Sequence, residues 1–365
     1  MIPDLSIIVP TLNERDNIIP FVTRLGQVLD GAKWEVIFVD DDSQDGTLDV
    51  LQSLARRDER VRYIHRVGRR GLSSACLEGM SASSAPYLAV MDADLQHDET
   101  ILPEMYQKLQ ASDLDLVIGS RYIGQGSCGE WNQGRYLVSR VATRLAGMTL
   151  KADVADPMSG FFILTREFFY RVQRHVTGLG FKILLDLIAS AEKPVRFAEV
   201  PFVFRVRQAG RSKLDTLVAW EYFVLLLDKF LGPYIPVRFL MFIVAGSFGA
   251  LFHVSLLWLL SVKLSTSFLI AQFTATLVAM TINFLSNNYF TYYDKRLKGW
   301  EIIRGMLLFY SVCAVGAIVN LRLALYLFEN GILWWLAGLL GAMVGAVWNY
   351  GASSVLVWQS QTRQG

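Results

Sequence analysis

Tyr87-Leu-Ala-Val-Met-Asp-Ala-Asp-Leu-Gln-His97 is the stretch on which the reading of this chain turns. Tyr87 to Met91 is a short apolar run of the kind that forms a buried strand. Asp92-x-Asp94 follows it directly, two carboxylates one residue apart. At a strand end that spacing turns both side chains to roughly the same side. Two carboxylates held close repel unless a cation lies between them. A hard divalent ion, Mg²⁺ or Mn²⁺, suits oxygen ligands and bridges to phosphates. Such an ion would neutralise a diphosphate leaving group. The alternative is that the pair are turn or N-cap residues ahead of a helical pattern at 99–111.

The same arrangement recurs on both sides. Leu5 to Val9, Glu35 to Val39, Val61 to Ile64 and Leu116 to Ile118 read as further strands. Amphipathic helical stretches at 15–30, 46–57, 72–84 and 99–111 lie between them. Strand and helix in alternation predict an α/β domain with a largely parallel sheet. In such sheets ligands sit beyond the carboxyl ends of the strands. Polar clusters stand there: Pro10-Thr-Leu-Asn-Glu14, Asp40-Asp-Asp-Ser43, Asp92 to His97 and Gly119-Ser-Arg-Tyr122. Within the acid triplet one residue can cap the next helix, as can Ser43 or Asp45, and another can contact the base or ribose of a nucleotide. His97 lies near this edge or serves as a surface or capping residue. No P-loop, dinucleotide glycine fingerprint, zinc spacing or Gly-x-Ser-x-Gly elbow is present.

The 365 residues are 53% hydrophobic, and the apolar excess falls after about residue 238. Four runs, about 239–262, 268–290, 305–328 and 332–358, are each long enough to cross a hydrocarbon core of roughly 30 Å. Only the third carries a charge, Arg322. Inside a membrane that is a functional candidate, with snorkelling or pairing with Glu329 or a lipid phosphate as the alternative. Gly249-Ala250 recurs as Gly316-Ala317, and Asn283-Phe284 as Asn349-Tyr350, which predicts two similar helical hairpins in tandem. Basic residues collect before the first run (Lys229, Arg238), after the second (Lys295, Arg296, Lys298, Arg304) and after the fourth (Arg363). That bias predicts both termini on the cytoplasmic side. Strand-like sequence from Leu5 is expected to leave no room for a signal peptide. A net charge of +2 gives no argument for nucleic acid, and Cys76, Cys128 and Cys313 have no pairing or metal spacing. Two segments, 135–151 and 214–232, read as basic amphipathic helices suited to a membrane surface, or as helices packed on the sheet.

Taken in order, Pro10-Thr-x-Asn-Glu14, Asp40-Asp-Asp-Ser43, Gly71-Leu-Ser-Ser-Ala75, Met91-Asp-Ala-Asp-Leu-Gln-His97, Gly119-Ser-Arg-Tyr122, Asp156-Pro-Met-Ser-Gly-Phe161 and Gly180-Phe-Lys-Ile-Leu184 strongly resemble family-2 glycosyltransferases of the dolichol-phosphate mannosyltransferase type. The resemblance covers about residues 4–235. The tail is similar to the GtrA-like domain fused to some members. The resemblance implies a GT-A (nucleotide-diphospho-sugar transferase) fold over 1–212, an interfacial helix over 213–235, a four-helix transmembrane domain over 236–365 and an inverting mechanism. It implies that Pro10, Glu14, Val39 and Asp41 bind the nucleotide, and that Asp92, Ala93 and Asp94 face the donor diphosphate. Asp94 and Gln96 would hold the metal. Arg121 would bind phosphate groups, and Arg135 and Ser139 would meet the lipid phosphate. Lys182, Arg207, Ser212 and Lys213 would contact the donor or close over it. Leu12 departs from the pattern, since some members carry an aromatic residue there that can stack on the base.

The expected reaction moves one hexose, mannose from GDP-mannose foremost, onto dolichyl or polyprenyl phosphate at the cytoplasmic face. UDP-glucose or another UDP-sugar is the nearest rival donor. The acceptor phosphate is already anionic at neutral pH, so positioning and charge stabilisation suffice without a dedicated base. A processive synthase is disfavoured because its Gln-x-x-Arg-Trp signature is absent. A non-enzymatic glycolipid translocator or scaffold is the other class of reading.

Overall fold

The computed structural model describes residues 2–127, 153–178, 180–205, 224, 227 and 235–358. The chain divides into two compact units, Met1–Phe230 and Leu231–Gly365.

Seven strands form one sheet in the first unit: β1 (Leu5–Thr11), β2 (Trp34–Asp40), β3 (Val61–His65), β4 (Tyr87–Val90), β5 (Leu116–Ser120), β6 (Phe162–Thr165) and β7 (Phe197–Pro201). Their order is β3-β2-β1-β4-β6-β5-β7. All pairings are parallel except those of β6, which runs against β4 and β5. The carboxyl ends of the six parallel strands therefore share one edge. The segment leading into β6 arrives at that same edge. The first five strands lie where the apolar runs predict them. β6 and β7 are additions that the sequence pattern did not reveal.

Helices cover both faces, so strand side chains are buried alternately above and below. Leu5, Ile7, Val9, Val36 and Phe38 pack with α1 (Arg15–Val28), α2 (Thr47–Ala55) and α4 (Leu102–Ala111). Ile8, Ile37, Val39, Leu88 and Val90 pack with α3 (Leu72–Ala82), α5 (Arg166–Val172) and α6 (Ile183–Ala189). Burying each such side chain contributes about 1.5–3 kcal/mol. α3 sits especially close. A Cβ on Gly79 would lie 2.5 Å from Ile8 Cγ2 and 2.9 Å from Val39 Cγ2.

The second unit holds α7 (Val237–Trp258), α8 (Phe268–Ser286), α9 (Trp300–Glu329) and α10 (Trp334–Leu356), with π-helical turns extending α7 and α8. All four are long and apolar enough to cross a membrane. In each hairpin the repeated glycine faces the repeated asparagine. A Cβ on Gly249 would meet Asn283 Cβ at 3.4 Å, and one on Gly316 would meet Asn349 Oδ1 at 2.1 Å. Asn320 lies reciprocally against Gly341 and Gly345. Small residues let the helix backbones approach and admit an amide between them. At one end of the bundle Trp358 is fully buried, stacks on Tyr292 at 4.2 Å and donates Nε1–H to Asn288 Oδ1 at 3.1 Å. Arg322 is exposed on α9, and no pair with Glu329 occurs among the ion pairs of the described residues.

Candidate active site

The loops after β1 and β2 are laced together. Asn13 N–H donates to Ser43 Oγ at 2.8 Å, Gln44 N–H to Asn13 Oδ1 at 2.9 Å, and Glu14 N–H to Thr47 Oγ1 at 3.0 Å. Three non-glycine residues of this edge have positive φ: Asn13 at 53°, Asp42 at 62° and Leu95 at 61°. Asn and Asp tolerate that region. For Leu95 it costs on the order of 1–3 kcal/mol, strain of a kind that gathers at functional loops.

The acid triplet has three separate duties. Asp40 accepts from Ser43 N–H and Oγ–H, closing a turn. Asp41 Oδ1 accepts from Arg66 Nη1 at 2.6 Å and its Oδ2 from Gly71 N–H at 2.6 Å. Burial raises the Asp41 pKa, against the lowering effect of the Gly71 amide and Arg66. Asp42 pairs with His65. Arg66 is itself buried, and it also donates to Ser74 Oγ at 2.7 Å and Gly71 O at 3.1 Å. Asp41, expected at the nucleotide, is thus also the anchor of the β3–α3 loop. Val39 is fully buried by side chain, whereas Pro10 and Glu14 are half-buried at the edge.

After β4, Asp94 Oδ1 accepts from Gln96 N–H at 3.1 Å. Gln96 Nε2 donates to Arg205 O at 3.0 Å, and Arg205 N–H donates to Gln96 O at 2.8 Å. Because the Arg205 carbonyl requires a donor, Nε2 of the Gln96 amide is committed to it and Oε1 is the acceptor end of the side chain. Ala93 is buried, as is Asp94. The Asp92 side chain is about one-third exposed, at 36%. An Asp94 carboxylate with the Gln96 carbonyl is an oxygen donor set that fits Mg²⁺ or Mn²⁺. Among the described residues no three of His, Cys, Asp and Glu converge on a metal site. An ion held here would draw its remaining ligands from phosphate or water.

After β5, Arg121 is bidentate to Asp156, Nε to Oδ2 and Nη2 to Oδ1, both at 2.8 Å. Asp156 is fully buried, and Glu199 holds its amide at 3.2 Å. The Arg121 guanidinium, expected to bind phosphate, is thus oriented by a carboxylate. Ser159 Oγ–H donates to Gly119 O at 2.6 Å and ties this segment to β5. Lys182 is the N-cap residue of α6, with Nζ 3.5 Å from Met158 O. Asp186, fully buried, accepts from Thr177 N–H, Thr177 Oγ–H and Gly178 N–H and so shapes the loop that carries Lys182. Arg135, Ser139, Arg207, Ser212 and Lys213, with both amphipathic segments, lie outside the described residues.

Sequence reasoning gave no role to Arg66, Asp156 or Asp186, and left His97 undecided. His97 is buried among Phe161, Phe202 and Phe204, with ring centroids at 5.4, 5.7 and 5.7 Å. Its Nδ1 accepts from Asp92 N–H at 3.2 Å. Burial pushes its pKa down to about 4; Asp94 and Asp156 oppose that and Arg121 reinforces it.

A mostly parallel GT-A sheet with a paired-carboxylate loop at its carboxyl edge, joined to four apolar helices, defines a membrane glycosyltransferase. Residues 6–172 match glycosyl transferase family 2, and residues 241–358 match the GtrA/DPMS transmembrane domain. A dolichol-phosphate mannosyltransferase of Pyrococcus furiosus is 33% identical over 358 residues, which is 97% of this chain and 99% of that one. The dolichol-phosphate mannosyltransferase of Saccharomyces cerevisiae is 40% identical over 60% of this chain and 84% of its own length. That of Mycosarcoma maydis is 36% identical over 66% and 84%. Among solved structures, glucosyl-3-phosphoglycerate synthase of Mycobacterium tuberculosis matches with TM-score 0.46 and 18% identity, over 62% of this chain and 80% of that one. The chain belongs to the family-2 glycosyltransferases of the dolichol-phosphate mannosyltransferase type, with a GtrA/DPMS transmembrane domain.

Proposed function

We propose that the chain transfers mannose from GDP-mannose to dolichyl or polyprenyl phosphate, with inversion, at the cytoplasmic face. The observation that carries this reading is the end-to-end likeness to the Pyrococcus furiosus dolichol-phosphate mannosyltransferase, together with the Asp92–Gln96 loop at the sheet edge. Asp94 and Gln96 would hold a divalent cation, which would supply positive charge to the donor diphosphate. Pro10, Glu14, Val39 and Asp41 cradle the nucleoside, with Asp41 fixed by Arg66 and the Gly71 amide. Because the Val39 side chain is buried, its contribution comes from the main chain.

A phosphate oxygen of the acceptor attacks C1 of the sugar, and the bond from C1 to the nucleoside diphosphate breaks. The nucleophile arrives as an anion, so no proton has to be removed in the step. Arg121, oriented by Asp156, balances developing phosphate charge. Arg135 and Ser139 meet the acceptor phosphate. Lys182, Arg207, Ser212 and Lys213 close on the donor. Both termini and the first unit face the cytoplasm, as the distribution of Lys and Arg along the chain favours. The domains are 1–212, 213–235 and 236–365.

Calorimetry of full-length protein with Mn²⁺ tests the choice of base. Tighter binding of GDP than of UDP supports this reading, and the reverse order favours a UDP-sugar donor.

A further inference from the structure

His97 follows the expected metal ligands Asp94 and Gln96, and the transfer step as written requires no group from its ring. It is 4% exposed and packed against three phenylalanines from two distant segments, Phe161 and the Phe202–Phe204 stretch. Such a ring cannot swing out without opening that cluster. Its Nδ1 takes the Asp92 amide proton at 3.2 Å, so in the neutral ring the proton sits on Nε2. Nε2 lies 3.9 Å from Asp92 Oδ2. The ring thus holds the Asp92 main chain directly, and its Nε2 faces the Asp92 carboxylate across a gap longer than a hydrogen bond.

Gly160 leaves room for this pair. A Cβ there would lie 3.1 Å from Asp92 Oδ2 and 3.3 Å from His97 Cε1. Asp92 also sits where the chain leaves β4 and enters the strained turn at Leu95. Fixing its amide therefore fixes the start of the loop that carries Asp94 and Gln96.

We propose that His97 is a positioning residue of the donor site: as the Nε2–H tautomer, clamped by Phe161, Phe202 and Phe204, it anchors the Asp92 amide and keeps Nε2–H facing the Asp92 carboxylate, setting the register of the Asp92–Gln96 loop. This rests on the reading of that loop as the donor and cation site.

The test compares wild type, His97→Asn and His97→Phe as full-length protein in detergent. Asn keeps an acceptor at the δ position and lacks Nε2–H. Phe keeps the stacking and lacks both. Mn²⁺-dependent GDP affinity and binding stoichiometry are measured by calorimetry, and kcat is expressed per GDP-binding site. Partners that orient ligands typically account for about 10–100-fold in affinity or activity. We expect His97→Asn to retain GDP affinity within about threefold while kcat falls about tenfold. His97→Phe should weaken Mn²⁺-dependent GDP binding about tenfold and lower kcat about 100-fold. A merely structural role would lower the stoichiometry and melting temperature and leave kcat per site and KM at wild-type values, and that result overturns the proposal. The ¹⁵N shifts of the wild-type imidazole, assigned by replacing the other three histidines, His65, His175 and His253, in turn, decide the geometry independently. A pyridine-type Nδ1 and pyrrole-type Nε2 support it, and the opposite tautomer overturns it even if neither variant folds. Wild type that binds neither GDP nor UDP with Mn²⁺ overturns the donor-site reading itself, and the tautomer still decides whether His97 anchors Asp92.

Discussion

Arg121 and Asp156 form a two-pronged pair, with both contacts at 2.8 Å and a third from the Arg121 amide to Asp156 Oδ2 at 3.1 Å. Asp156 is fully buried and Arg121 is 9% exposed. A carboxylate so placed fixes both the charge balance and the orientation of the guanidinium. Removing it takes the bidentate carboxylate from a buried cation. Asp156→Ala is expected to destabilise the first unit by about 3–5 kcal/mol, the usual cost of breaking a buried pair from one side. Urea unfolding followed by circular dichroism measures this. Arg121→Lys keeps the charge and loses the fork. It should therefore lower kcat more than it lowers stability.

The close seat of α3 on the sheet gives a packing prediction. Gly79→Ala puts a methyl group 2.5 Å from Ile8 Cγ2. Overpacking of this kind costs about 1–3 kcal/mol. The double variant with Ile8→Ala should show a smaller cost for the glycine change than the single variant does. Equal costs in both backgrounds would contradict the close approach.

Asp115 links stability to pH. Its carboxylate is buried at the start of β5, and burial by itself raises its pKa. Bonds from the Arg196 side chain and amide, with the charge and hydrogen bond of Arg171, outweigh that and leave the pKa below the ordinary value. A lowered folded-state pKa contributes stability above the unfolded pKa of about 4 and loses it as pH falls through the folded value. Wild type should therefore be more stable than Asp115→Asn at pH 7, and the difference should shrink below about pH 4. A difference that grows on acidification would contradict the assignment.

In the membrane helices the prediction concerns shape. A Cβ on Gly316 meets Asn349 Oδ1, and one on Gly351 meets nothing within 4 Å. Gly316→Ala should lower the melting temperature of the detergent-solubilised protein, whereas Gly351→Ala should leave it unchanged or raise it.

Of the five legible strands, β1, β2, β4 and β5 are short apolar runs ending in the polar edge clusters. β6 was not legible, since Phe162–Thr165 is four residues long and runs straight into a helix. A run that short cannot be told from helix by period. β7 is an edge strand with Glu199 half-buried and Pro201 exposed, so it shows neither alternation nor an apolar run. Asp92, Asp94 and Gln96 could be found because they are close in sequence. Arg66 reads locally as part of a solvated basic loop, and only the fold brings Asp41 and Ser74 to it. His97 has partners at 161, 202 and 204, which no local pattern connects. Asp186 did leave a signal, an acid amid the apolar run Ile183 to Ile188.

The role proposed for the Asp92–Gln96 loop is sugar transfer to a lipid phosphate. The most direct measurement is label transfer from GDP-mannose or UDP-glucose into phosphopolyprenol by detergent-solubilised protein with Mn²⁺ or Mg²⁺. Label should enter the lipid fraction from GDP-mannose, and Asp94→Ala should lower the rate roughly 100-fold or more, as loss of a direct ligand exceeds loss of a supporting one. Transfer from neither donor, or equal transfer by wild type and Asp94→Ala, would contradict it.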